Sequence, residues 1–399
     1  MTNYTKIYNA NIITPAGFVK DGTLIIADGK IAELGTKNIA IANANEIDAQ
    51  GMYVSPGFID MHVHGGGGHD FMDNTIEAFL AVAKTHAKYG TTALMPTTLS
   101  CEKEDLLTTL NIYEKANAIN TEGANFVGIH IEGPYFAMSQ KGAQDPRYIR
   151  NPDPAEYEEV LAASKHIKRW SAAPELPGTI EFGNFLKQNN VLAAIAHTDA
   201  IYEEVIKAYE VGFTHATHFY SCMSGVSRRN AFRYAGVIES AYLLDNMTVE
   251  IIADGVHLPA ALLKLIYKIK GAEHTALITD AMRGAGMPEG PSKLGSYKDG
   301  LDVIIEDGVA KLPDRSAFAG SVATADRLVR NMITLADVSL LDAVKMASTT
   351  PAKILNIEDG KGELLKGKEA DIVIFDEEIN IETTIVNGNV VYSKDKIKI

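Results

Sequence analysis

Hydrophobic positions along the chain come in two textures. Residues 5–13 and 22–35 form short apolar-rich runs bounded by glycine, and Asp28-Gly29 between two such runs signals a two-residue hairpin turn. The texture returns at 362–364, 370–375 and 384–392, with Asn387-Gly388 as a second hairpin signal. Both ends of the chain therefore read as β-structure. The middle does not. There, eight short apolar runs at 52–64, 91–99, 125–132, 167–174, 191–197, 213–219, 248–253 and 274–280 are separated by stretches of helical period. The helical stretches lie at 75–89, 103–118, 153–164, 179–188, 200–211 and 259–269, and one more at 323–335 follows the eighth run. Strands buried on both faces and separated by helices imply a parallel sheet, and eight of them imply an α/β fold closed as a (β/α)8 barrel. No internal repeat or low-complexity segment argues for a solenoid.

In such a barrel the chemistry sits at the C-terminal ends of the strands. The first run ends in Asp60-Met-His62-Val-His64, the third in His130-Ile-Glu132, the fifth in His197-Thr-Asp199 and the sixth in His215-Ala-Thr-His218. The seventh leads into Asp254-Gly-Val-His257 and the eighth ends in Thr279-Asp280, so six of the eight runs deliver a histidine or carboxylate to one end. Each residue alone has an ordinary reading. Glu132 fits a helix start, His197 and His218 fit satisfied core histidines, and Asp280 fits a helix cap. Together they point to a site. His62 and His64, two apart on a strand, project to one side, where a metal ion could take both, although such a pair alone is also an ordinary feature. Asp280 at the eighth strand end is placed to accept a proton from water held by a metal. His69, His86, His166 and His274 read as surface or structural; His130 is either a support for Glu132 or a packing residue, and His215 faces away from His218. Gly65 to Gly68 lacks the spacing of a phosphate or dinucleotide loop and suits a close backbone pass beside the metal site.

Charge and composition narrow the partners. The 399 residues hold 37 basic and 51 acidic side chains, a net charge of -14, which gives no basic footprint for nucleic acid. A small anionic substrate stays open, since one or two arginines in a pocket suffice. Cys101 and Cys222 are the only cysteines, too few for a disulfide scaffold or a cysteine zinc site, and a reducing cytoplasm is the simplest home. Neither a signal peptide nor a membrane span is expected.

Several segments carry a resemblance to the amidohydrolase superfamily, and within it to the N-acetylglucosamine-6-phosphate deacetylases. They are residues 56–68 (PGFIDMHVHGGGG), 128–135 (GIHIEGPY), 141–144 (KGAQ), 196–200 (AHTDA), 217–220 (THFY), 251–257 (IIADGVH), 277–282 (LITDAM) and 319–321 (AGS). The resemblance implies a barrel at 56–350 plus a small β-sandwich domain from 1–55 and 351–399. It implies that Glu132, His197 and His218 bind a divalent metal, that His62 and His64 hold a second, and that the cofactor is one or two ions, zinc first, with iron, manganese or cobalt as alternatives. Other superfamily branches bridge two metals through a modified lysine after the fourth strand. Here that strand runs into Ser171-Ala-Ala-Pro-Glu175, without a lysine, so Glu132 is the bridging candidate.

The implied reaction is hydrolysis of the N-acetyl group of an amino-sugar phosphate, with Asp280 as proton shuttle and Gln144 polarising the carbonyl. Ser221, Cys222, Arg229 and His257 complete the expected substrate contacts. After His218 the chain departs from the family, whose Asn-Ala pair and Arg-Glu-Pro-Gly segment hold the sugar phosphate. It reads Ser221-Cys222 and then a longer stretch with Arg228, Arg229 and Arg233. Arg229 aligns best with the family's phosphate arginine, which reaches across a homodimer interface; Arg228 and Arg233 are rivals. Two further readings stay open: an amidohydrolase acting on another N-acyl or cyclic amide, and a non-catalytic barrel that only binds.

Overall fold

A computed structural model describes residues 4–36 and 39–394; the outermost residues of the expected terminal domain, 1–3 and 395–399, and residues 37–38 within it lie outside the described residues. The eight expected barrel strands are all present: Phe58–Val63, Thr91–Pro96, Ile129–Glu132 (preceded by the short Asn125–Phe126), Ile167–Ala172, Leu192–Ile195, Phe213–Ala216, Thr248–Ile251 and Thr275–Leu277. Neighbours pair in parallel along this order. Single bridges, Thr97 with His130 and Val63 with Ala281, join the second strand to the third and the eighth to the first, closing the barrel. All six residues of the first strand are buried, as a strand between helices and barrel interior must be.

The first apolar run proves to be two strands. Tyr53–Pro56 lies in a terminal sheet, between Tyr4–Thr14, to which it is parallel, and Ile372–Phe375, to which it is antiparallel. The break falls at Gly57, where a Cβ would stand 2.1 Å from the Thr92 side chain, so only glycine lets the chain cross here. Alternation then splits the terminal sheet between two cores. Ile12, Ile372 and Ile374 join Leu24, Ile26 and Ile47 in one cluster, while Ile13, Val373 and Phe375 face the barrel core. Both hairpins form where expected, Gly17–Ala27 with Lys30–Gly35 and Ile381–Val386 with Asn389–Ser393. Residues 362–364 are not a strand; Gly362 sits at positive φ against Ala352 and Ser348.

Two elements depart from the expected pattern. Between the eighth strand and its helix (Ala325–Ala336) stands an antiparallel sheet of Gly290–Leu294, Leu301–Glu306, Val309–Lys311 and Phe318–Ser321. It has its own core of Met282, Leu294, Val303, Ile305, Ala310 and Ala319. Its central turn is Asp307-Gly308, both at positive φ, a hairpin signal that the sequence carried unread. Between the sixth and seventh strands, Ser227–Arg229 and Phe232–Tyr234 form a projecting hairpin, followed by a short helix, Val237–Leu243. Phe232 is 72% exposed on that hairpin. Among the described residues no helix is long and apolar enough to cross a membrane.

Phe375 packs the terminal sheet onto the barrel core, fully buried with its ring 5.8 Å from Tyr53 of that sheet and 6.2 Å from Phe58 of the first barrel strand. Phe375→Ala should lower unfolding stability by about 3–5 kcal/mol, read from the shift in urea midpoint at unchanged slope; a loss below about 1 kcal/mol would mean that the terminal sheet is not held to the barrel through this ring.

Candidate metal centre

Alternation on the first barrel strand aims Asp60, His62 and His64 inward, while Met61 joins an apolar cluster with Ile252, Ala276 and Ile278. The two imidazoles meet Glu132 from the third strand end, His197 and His218 from the turns after the fifth and sixth, and Asp280 from the turn after the eighth. All six are at least nine-tenths buried. Glu132 is the centre. Its Oε1 lies 3.1 Å from His218 Nε2, 3.7 Å from His197 Nε2 and 3.4 Å from His62 Nε2, and its Oε2 lies 3.3 Å from His64 Nε2. Two trios of metal-competent donors result, one of His62, His64 and Glu132, the other of Glu132, His197 and His218. Asp280 Oδ1 stands 3.4 and 3.2 Å from the Nε2 atoms of His62 and His64.

His197, His218 and Asp280 all have positive φ, an uncommon conformation for side-chain-bearing residues that persists only where surroundings impose it. Glu175 supplies part of that constraint, taking the Thr198 hydroxyl at 2.5 Å and the Asp199 amide at 2.6 Å. Asp280 is held through its backbone, its N–H on His62 O and its carbonyl receiving Ser321 N–H. Asp60 ties the first strand to the eighth by accepting from the Thr279 hydroxyl at 2.5 Å and from its amide at 3.2 Å.

Whether these residues suit a metal is decided by the far side of each ring. His62 Nδ1 lies 2.8 Å from Glu250 Oε1, His64 Nδ1 3.2 Å from Thr97 O, and His197 Nδ1 2.8 Å from Gln140 O. These partners only accept, so Nδ1 carries the proton and each neutral ring turns an Nε2 lone pair inward. The lone pairs of His62 and His64 then face one another at 3.3 Å, and that of His197 faces Nε2 of His218, whose own Nδ1 has no hydrogen-bond partner among the described residues, at 3.2 Å. Such pairs repel unless a cation lies between them, and nitrogen with carboxylate oxygen is a donor set for a divalent transition metal. Protons take that role when no ion does. Against burial, Glu132, Asp280 and Glu250 lift His62 to about 9, and Asp280 and Glu132 lift His64 to about 10. Burial works the other way on Glu132, but His62, His197 and His218 hold its carboxyl well below the usual range.

Beside these donors opens a cavity of about 310 Å³, lined among others by Gln144, Tyr220, Ser221, Cys222, His257 and Phe318. The Gln144 amide is anchored, Oε1 receiving Ser100 N–H and Nε2 donating to Glu132 Oε2, both at 2.9 Å. His257 Nδ1 pairs with Asp254 at 2.8 Å, and its ring packs 4.7 Å from Phe318. Arg229 does not line the cavity; it lies over Tyr234 on the exposed hairpin and reaches Asp199 O at 3.4 Å. Arg228 and Arg233 are exposed on the same hairpin. His130 is buried, 2.7 Å from Ser171 Oγ, with its ring 4.7 Å from His62. His215 binds Thr248 and Glu250, and His86 binds Gly65 O. At Gly65 itself a Cβ would meet His69 O at 2.3 Å. Arg169 and Glu250 went unnamed in the sequence reading, which gave Asp60 and Glu175 no role of their own. A charged residue inside an apolar strand run was the available signal for the first two.

Because protons and metal compete for the same Nε2 atoms, loading the metal-free protein with zinc at pH 7 should release protons. The release should shrink as pH rises through about 9 to about 10, where His62 and His64 are already neutral. A pH indicator in weak buffer measures it, and uptake without proton release at pH 7 would contradict the charge state derived for this cluster.

Residues 53–391 match the Amidohydrolase family. The chain is 32% identical over 392 residues to an N-acetylglucosamine-6-phosphate deacetylase of Lysinibacillus sphaericus, covering 96% of this chain and 97% of that protein. It is equally 32% identical, over 378 residues, to an N-acetylgalactosamine-6-phosphate deacetylase of Escherichia coli O157:H7, covering 94% and 96%. Among solved structures, a variant N-acetyl-D-glucosamine-6-phosphate deacetylase of Mycobacterium smegmatis in complex with N-acetyl-D-glucosamine-6-phosphate superposes with a TM-score of 0.89 at 29% identity, covering 98% of this chain and all of that one. The chain belongs to the amidohydrolase family and, within it, to the branch of the N-acetylglucosamine-6-phosphate deacetylases.

Proposed function

We propose that this enzyme hydrolyses the N-acetyl group of N-acetylglucosamine-6-phosphate, giving glucosamine-6-phosphate and acetate. The observation that carries the reading is Glu132, shared by two trios of metal-competent donors, with Asp280 facing the same point and a ring-lined cavity beside it. Glu132, His197 and His218 would hold one divalent ion, with zinc first among the metals, and His62, His64 and Glu132 would hold a second. When bound, such ions lower the pKa of water toward ~7 and polarise a carbonyl oxygen. Asp280 accepts the proton of the attacking water and delivers it to the amide nitrogen, so that the C–N bond breaks with a neutral amine leaving. In the metal-free protein His62 and His64 overcome its burial and lower its pKa, and a cation held by the same rings would favour its charged form in their place. Gln144 keeps one amide N–H beyond its bond to Glu132, available to the oxygen that gains charge. His257, fixed by Asp254, joins Ser221 and Cys222 in meeting the sugar.

Among the described residues no lysine or arginine lines this cavity. That supports a phosphate contact supplied from outside it: a homodimer in which Arg229, or its neighbours Arg228 and Arg233, extends from the hairpin of a second copy. Two free cysteines agree with a cytoplasmic enzyme. The galactosamine relative makes the C4 epimer a second substrate to test.

Asp280→Asn should keep the fold and bound metal yet lose turnover by several orders of magnitude, measured as acetate release from both epimers. Activity above about a tenth of the parent, under roughly 1.4 kcal/mol of barrier, would remove Asp280 from the proposed role. Replacing the phosphate arginine by Met should cost about 1.5–3 kcal/mol in kcat/KM for the phosphorylated sugar and hardly change the unphosphorylated one. Mixing that variant with Asp280→Asn should restore some activity through hybrid dimers. Equal losses on both sugars for all three arginines would show that the hairpin is structural.

A further inference from the structure

Beneath the six donors, on the barrel floor, lie two fully buried charges on which the proton-transfer scheme makes no demand. Arg169, from the fourth strand, and Glu250, from the seventh, pair side by side, Nη1 to Oε2 at 2.5 Å and Nη2 to Oε1 at 2.7 Å. Arg169 is anchored further on Thr217 Oγ1 at 2.8 Å and Met61 O at 3.2 Å. Glu250 Oε1 also faces His62 Nδ1 at 2.8 Å and receives His218 N–H at 3.2 Å, while Oε2 faces His215 Nε2 at 3.2 Å. A buried ion pair seldom adds net stability against well-packed apolar residues, so its presence asks for another reason.

We infer that Glu250, locked by Arg169, is the positioning residue that creates the second metal position. Its carboxylate can only accept, so the His62 proton stays on Nδ1 and the Nε2 lone pair turns toward His64 and Glu132. Arg169 holds both carboxylate oxygens in one plane and thereby fixes the angle of that ring. The effect is selective. Glu250 touches the side chain of His62 but only the backbone of His218, and His197 takes its orientation from Gln140 O. Without the Glu250 acceptor, the trio of His62, His64 and Glu132 loses its geometry, while the trio of Glu132, His197 and His218 keeps its side-chain directions.

The inference rests on the two-ion reading above, and the test separates the two. Full-length protein is loaded with cobalt, freed of excess by gel filtration, and measured for ions per chain and for its visible spectrum. The parent should hold two ions. Arg169→Met with Glu250→Leu, which removes both charges together and leaves none unpaired, should hold one and lose part of the cobalt absorption. Arg169→Met with Glu250→Gln, which restores an uncharged acceptor for His62, should regain the second ion. Phe375→Ala, destabilised far from the site, should keep two. The inference is overturned if the Leu variant keeps two ions with an unchanged spectrum, if the Gln variant fails to regain the second, or if Phe375→Ala loses the same ion. A parent that itself holds a single ion overturns the two-ion reading, and this inference with it.

Discussion

Lone pairs facing lone pairs are the constraint on which this protein turns. Fixing the Nδ1 proton of His62, His64 and His197 on oxygen acceptors commits their other nitrogens to a small shared volume that also holds the carboxylates of Glu132 and Asp280. An isolated chain would turn such groups apart. Barrel closure prevents this, because the strands that carry them are paired edge to edge with no slack and the turns beyond them are held by Glu175, Asp60 and the Ser321 amide. The scaffold therefore sets up an electrostatic mismatch that protons relieve in the metal-free protein and a divalent cation would relieve in their place, so the affinity for the ion is set against the protons it displaces.

That arrangement also explains why so much charge is buried away from the cavity. A carboxylate or guanidinium sealed in a low-dielectric interior is tolerated only with partners on nearly every polar atom. Glu250 and Arg169 share two hydrogen bonds, Thr217 and the Met61 carbonyl take further guanidinium N–H groups, and His62, His215 and the His218 amide complete the carboxylate, with Arg169 Nε alone left without a partner among the described residues. Asp254 is satisfied in the same way by His257 and by two amides of its own turn.

Strand order, the seven longer helices and the set of inward-facing donors were legible in the sequence because each follows from a local rule, while the short helices Val237–Leu243, Leu340–Ala347 and Thr349–Ile354 were not. A both-faces-buried strand is a continuous apolar run, and a residue at its C-terminal end faces the barrel mouth. What was not legible involved choices between partners. The run at 52–64 reads as one strand because nothing in it but Gly57 shows that its halves pair with different sheets. The sheet from Gly290 to Ser321 went unread because its apolar residues are sparse and build a separate small core. Arg169 and Glu250 went unread, since their sense appears only when the fourth and seventh strands are brought across the barrel. The arginines at 228, 229 and 233 were legible as an oddity, and a single chain leaves them outside the cavity.

Tyr53–Pro56 is flanked by the N-terminal strand on one side and by Ile372–Phe375 on the other, which has a consequence for biosynthesis. During translation the first strands emerge with one edge unpaired, and the strand that covers it is made almost a full chain length later, on the order of tens of seconds at bacterial or eukaryotic elongation rates. Throughout that interval Val54 and its neighbours present an apolar, hydrogen-bond-hungry border to the cell. A chain still on the ribosome therefore exposes an edge that the folded molecule covers, and chaperone dependence should concentrate there.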